Sequence, residues 1–120
     1  MKDAGVVPKD QLDIKKLETP TQTTFILKSK KPNEEIVLQS LKFTPGNAKE
    51  VDITPTKGNK PSGEIVTKPV TDEKRYTIVE MKEPTSVDKV VIVVKSSDGK
   101  PTTTDLQSII ACMKSAGKCV

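Results

Sequence analysis

The chain has 120 residues and a mass of 13.1 kDa, the size of one domain. Its 20 basic and 16 acidic residues leave a net charge of only +4, too balanced for a disordered polyelectrolyte, and no apolar run approaches the ~18 residues of a membrane-spanning helix. Histidine and tryptophan are absent, which excludes histidine-based triads, histidine-ligated metals and tryptophan sugar platforms.

Residues 1–22 are polar and lack clean periodicity; Leu12, Ile14 and Leu17 mark a short strand or a turn of helix before Pro20. Thr23–Lys28 reads as the first firm strand and Ile36–Phe43 as the second, with Val37, Leu41 and Phe43 expected on one face. Thr44-Pro45-Gly46-Asn47 is a turn, since Pro presets φ and Gly accepts a positive one. Lys49–Thr54 alternates as a third strand, and Pro55–Gly63, with two prolines and two glycines, is expected to be an exposed loop. Glu64–Val70 is a weaker strand that Pro69 suits to an edge. Arg75–Met81 alternates well. Val87–Lys95 contains five consecutive Val or Ile residues and is expected to be a central strand buried on both faces. Ser96–Pro101 is a turn, Thr102–Met113 the last strand, and Lys114–Val120 a tail.

Val (13), Ile (9) and Thr (14) far outnumber Ala (4) and Leu (6), and β-branched side chains favour a pleated surface over a helix. Nine prolines and six glycines punctuate the chain at intervals that suit short strands and turns. The expected fold is therefore all-β, an antiparallel β-sandwich of about seven or eight strands spanning residues 23–113. Residues 1–22 form an extension or first weak strand, and residues 114–120 the tail.

The last forty residues resemble the end of a galactose-binding-like jelly roll, the fold of discoidin modules and many carbohydrate-binding modules. The resemblance rests on Pro84-Thr85-Ser86-Val87-Asp88-Lys89-Val90-Val91-Ile92-Val93-Val94, the Ser97-Asp98-Gly99 turn, and Leu106–Cys112 ending a final strand in Cys. It favours a jelly roll over an immunoglobulin-like sandwich. It also implies a setting in secreted mucin-like or matrix proteins, and a structural calcium ion of the kind such modules frequently carry. The chain departs from the family pattern in having no N-terminal Cys to pair with its terminal one.

Among candidate site residues, Asp52 and Asp98 are the carboxylates eligible to hold calcium, against the simpler reading of Asp98 as an Asx turn beside Gly99. Tyr76 is the one amphipathic aromatic that could stack on a ligand such as a sugar; as part of Arg75–Met81 it could equally be core. Cys112 and Cys119 are disulfide candidates: their spacing is not that of a redox pair, and no histidine or third cysteine completes a zinc site. With 19 Lys against one Arg, Arg75, and three aromatics, nucleic acid is not an expected partner. No nucleophile–base pair or phosphate-binding loop can be assembled, so an enzyme is not expected. The expectation is a non-catalytic extracellular or cell-surface adhesion or structural module of a larger protein, partnered by neighbouring modules, other extracellular proteins or glycans. The alternatives are a carbohydrate-binding module assisted by calcium, and a microbial surface or pilus-type immunoglobulin-like domain.

Overall fold

A computed structural model describes residues 5–44, 46–63, 65–70, 76–115 and 118–119, the last two by their backbone alone. In chain order the strands are β1 (Gly5–Val6), β2 (Leu12–Glu18), β3 (Gln22–Ser29), β4 (Glu34–Thr44), β5 (Ala48–Lys57), β6 (Lys60–Pro61), β7 (Val66–Pro69), β8 (Thr77–Glu80), β9 (Ser86–Val87), β10 (Lys89–Ser96), β11 (Asp105–Ser115) and β12 (Lys118–Cys119). A single 3-10 turn, Lys9–Gln11, precedes β2. One sheet runs β1-β11-β4-β8, with β12 on β11 and β9 on β4. The other runs β2-β3-β10-β5-β6, with β7 on β5. All pairings are antiparallel. Eight strands have four residues or more, in keeping with the number expected from sequence.

The two sheets stack because each strand alternates. Phe25 and Leu27 of β3, Val51 and Ile53 of β5, and Val90, Ile92 and Val94 of β10 point inward from one sheet. Ile36, Leu38, Leu41 and Phe43 of β4 and Ile109, Ala111 and Met113 of β11 meet them from the other. Burying each of the larger side chains contributes about 1.5–3 kcal/mol, and the β-branched Val and Ile among them have stiff χ1 angles that lose little further freedom on the pleat.

Four expectations need correction. Val37 does not share a face with Leu41 and Phe43. β11 pairs Ile110 with Ser40 but Ala111 with Leu38, so Gln39 is an extra residue in β4. This bulge inverts the alternation, and the buried set becomes Ile36, Leu38, Leu41 and Phe43 while Val37 is only half-buried on the outside. Pro55–Gly63 is not a loop: β5 continues to Lys57 and β6 returns beside it around Gly58 and Asn59, whose φ values of 60° and 64° make the tight turn. Pro55 is itself buried in the ladder opposite Val90. Val87–Lys95 is not one strand. Val87 pairs with Ile36 in the first sheet, the chain crosses at Asp88, and Lys89 begins β10 in the second. β10 is central, between β3 and β5, but only Val90, Ile92 and Val94 are fully buried; Val91 and Val93 are half-buried on the outer face. Nor is 114–120 a plain tail, since Lys114 and Ser115 extend β11 and pair back with Cys119 and Lys118.

At the N-terminal side, β1 and β2 join opposite sheets, through β11 and β3 respectively. β7 lies at a sheet edge, as Pro69 suggested, with β5 its only strand partner among the described residues. Two lysines cover strand carbonyls, Lys68 from the opposite layer and Lys9 from the 3-10 turn. Lys68 Nζ donates to the Ile78 carbonyl of β8 at 2.7 Å, and Lys9 Nζ donates to the Leu106 carbonyl of β11, beyond the reach of β1.

The inward and outward halves of β10 should differ in energy. Ile92→Ala should cost about 2–5 kcal/mol in urea unfolding, and Val91→Ala about 1 kcal/mol or less. Equal losses would contradict the assignment of faces.

Candidate functional site

On one side of the sandwich the edge strands β7 and β8 border an open groove of about 810 Å³. Ile65, Val66, Lys68, Tyr76, Ile78 and Lys82 line it, together with neighbouring backbone. Ile65 and Ile78 are 58% and 46% exposed, the largest apolar groups near Tyr76 to remain in solvent. Tyr76 directly precedes β8 and is half-buried. Its ring carries the Lys42 ammonium 4.1 Å from its centroid, so one face is already engaged by a cation. Tyr76 is therefore neither core nor a bare platform: it is one wall of a groove whose floor is tied by the Lys68–Ile78 hydrogen bond. The groove can take an apolar or extended group along its length. It does not enclose a small molecule.

Asp98 occupies a different place. Its Oδ1 accepts the Lys100 amide and the Asn47 side-chain amide, both at 3.0 Å. The first is the Asx turn expected beside Gly99. The second makes Asp98 part of a latch between the β4–β5 and β10–β11 turns. Asn47 spends nearly every polar group there. Its Nδ2 also donates to the Pro101 carbonyl at 3.0 Å, its Oδ1 accepts the Thr103 amide at 2.8 Å, and its carbonyl accepts the Ser97 amide at 2.8 Å. The Lys100 amide foremost holds the Asp98 carboxyl below its ordinary value; desolvation opposes it, and the Asn47 amide adds to the lowering. Gly46 permits this approach. Its φ is +52°, and a Cβ there would lie 2.8 Å from the Thr103 carbonyl carbon and 2.9 Å from the Thr104 nitrogen.

Asp52 is not brought to Asp98. It lies mid-β5 on the outer face, where Lys95 bridges it and Glu50, each at 3.2 Å. Those two carboxylates, Asp52 foremost, hold the Lys95 ammonium above its ordinary pKa. Asp52 Oδ1 is buried without a hydrogen-bond partner. The cation at this carboxylate is thus supplied by Lys95, and among the described residues no group of three or more potential ligands gathers for a metal. A similar economy holds elsewhere. Glu35 is engaged by Lys57 at 3.0 Å and by the Ser86 hydroxyl at 2.9 Å, which together lower its pKa, and Glu34 accepts the Ser29 hydroxyl at 2.6 Å. Cys112 is buried on β11 opposite Val37; the Cys119 side chain lies outside the described residues.

The sequence showed the Asx turn at Asp98 and singled out Tyr76, which lines the groove, but gave no sign of Lys68 or of the bonding of Asn47. Asn47 was visible only as a turn residue, because its partners lie about fifty positions away. Nothing local marks Lys68 as the lysine that reaches across to β8.

The latch makes two predictions. Gly46→Ala should destabilise clearly more than Gly58→Ala in thermal melts, because both have positive φ but only Gly46 is crowded. Asp98 has a folded pKa below its unfolded one, so its contribution is present above the unfolded value near 3.8 and is lost as pH falls through the folded value. The stability gap between wild type and Asp98→Asn should therefore be constant at neutral pH and close as melts are moved below about pH 4. A gap that does not narrow as the pH is lowered below the unfolded value would contradict it.

No protein-family model matches the chain, and no curated protein and no solved structure matches it.

Proposed function

We propose that this chain is a non-catalytic adhesion or structural β-sandwich module of a larger secreted or cell-surface protein, acting through surface contacts. The observation that carries the reading is where its charged groups are spent. Asp98, Asp52, Glu50, Glu35 and Glu34 are each engaged in fastening a turn or a strand. What remains on the surface is a groove between two sheet edges that presents the exposed Ile65 and Ile78 beside Tyr76, a surface suited to contact with another one. The jelly-roll kinship of the sandwich belongs to this proposal and rests on residues 84–112.

Pairing of Cys112 with Cys119 is part of the same reading. It is supported by the hairpin that sets Cys119 opposite Lys114, two residues along from Cys112, and by the absence of a free thiol among the described cysteines. Carbohydrate binding is the second reading, favoured by Tyr76 in the groove wall with polar neighbours.

One experiment separates the two. The full chain is applied to an array carrying both glycans and extracellular-matrix proteins, with and without a calcium chelator. The module reading expects retention on protein spots, insensitive to chelator and weakened by Ile78→Asp. Binding confined to glycans, lost with Tyr76→Ala or with chelator, overturns it in favour of the carbohydrate reading. Intact mass without reductant should show a two-hydrogen deficit for the Cys112–Cys119 bond; a full-hydrogen mass would remove that pairing.

A further inference from the structure

Most edges of the two sheets are closed. Pro69 removes an amide from β7, Lys68 covers the outward carbonyl of β8, and Lys9 covers that of β11 beside the two-residue β1. β2 differs. It is seven residues long and, among the described residues, pairs on one side only, with β3. The Thr19 amide donates to the Gln22 carbonyl, and antiparallel alternation counted from that pair turns the backbone of Asp13, Lys15 and Leu17 toward β3. Ile14, Lys16 and Glu18 therefore turn their amides and carbonyls outward. Asp13 and residues 15–18 are exposed along this edge; Lys16 and Glu18 pair within the chain at 3.6 Å, and between them Leu17 is 46% in solvent, so the run Lys16-Leu17-Glu18 sets a cation, an apolar group and an anion side by side.

That triplet is complementary to itself when run antiparallel. We propose that a second copy of this chain pairs along β2 about a two-fold axis at Leu17, so that the five-strand path β2-β3-β10-β5-β6 of one copy continues into that of the other. The Lys16 amide donates to the carbonyl of the partner's Glu18, the Glu18 amide to that of the partner's Lys16, and symmetry doubles both. Lys16 stands across from the partner's Glu18 at the ~5.5 Å Cα spacing of a hydrogen-bonded pair, and Leu17 meets the partner's Leu17 at the closer ~4.5 Å spacing. Other in-phase registers are worse. A two-fold axis at Lys15 or Lys16 sets a lysine directly against its own copy. An axis at Ile14 requires the Leu12 amide, which already donates to the Lys9 carbonyl, and runs the partner into the 3-10 turn. This inference is independent of the array reading above, since β2 and the groove lie on different edges.

Sedimentation equilibrium of the full chain at low salt tests it. The wild type should show a concentration-dependent species of twice the 13.1 kDa chain mass, which weakens as salt is added. Glu18→Lys should weaken dimerisation by about tenfold or more, since it converts two attractive cross-strand pairs into two repulsive ones. The double variant Lys16→Glu, Glu18→Lys should restore it to within about threefold, because the swapped triplet is again self-complementary. These exposed edge positions should leave the far-ultraviolet dichroism and melting of each variant close to wild type. A wild type that stays monomeric at about 1 mM overturns the proposal, as that is weaker than the weakest specific pairings. A dimer indifferent to Glu18→Lys, or one not rescued by the swap, overturns it as well.

Discussion

The burial of two-residue-period aliphatic faces against each other is the constraint on which this molecule depends. With no tryptophan and three other aromatics, its core is built mainly from Val, Ile and Leu around Phe25 and Phe43, and these fill a slab only when strands alternate in phase. β10 is the clearest case: Val90, Ile92 and Val94 have no solvent exposure, and the strand is flanked on both sides by β3 and β5. Where phase would be lost, a bulge restores it. The extra Gln39 in β4 lets Ile36 and Leu38 reach the same slab as Leu41 and Phe43.

A stacked pair of open sheets solves the core and creates a second problem at its edges, where amides and carbonyls have no strand to bond. Here the answer is lysine as well as proline. Lys68 reaches from β7 in one layer to a carbonyl of β8 in the other and so joins the two sheets, while Lys9 reaches from the 3-10 turn that links β1 to β2 and covers a carbonyl of β11. This gives a physical role to part of a basic content that composition alone left as surface charge. The carboxylates follow the same pattern: Asp98, Asp52 and Glu35 are drawn into turns and strand faces by amides, hydroxyls and lysines.

Most of the architecture was legible because its cues are local. The run of Val and Ile at 90–94 announced a central strand, Pro69 announced an edge, and Asp98-Gly99 announced an Asx turn. The failures share a cause. Val37 was set on the wrong face because a bulge depends on the register of β11, some seventy residues later. Pro55 was read as loop because proline marks punctuation, yet it sits in the ladder opposite Val90, where its missing amide is tolerated. The outer face of β10 was expected to be covered because five apolar residues in a row carry no information about which side another layer will take. Tyr76 was visible as a candidate, whereas the Lys42 on its ring and the Lys68 that bonds the Ile78 carbonyl in the same groove come from partners that no spacing rule connects.

The crossing at Asp88 has a mechanical consequence. A single residue carries the chain from Val87, laddered to Ile36 in one layer, to Lys89, laddered to Thr56 in the other. The Asp88 carboxylate also accepts the Gly58 amide at the tip of the β5–β6 hairpin. Sliding one layer over the other by a repeat of two residues, roughly 7 Å, would have to tear one of these ladders, because the link has no slack to pay out. The junction acts as a rivet at one corner, so the sandwich resists shear there more than at the lysine-bridged side, which can lengthen by rotating a flexible stem.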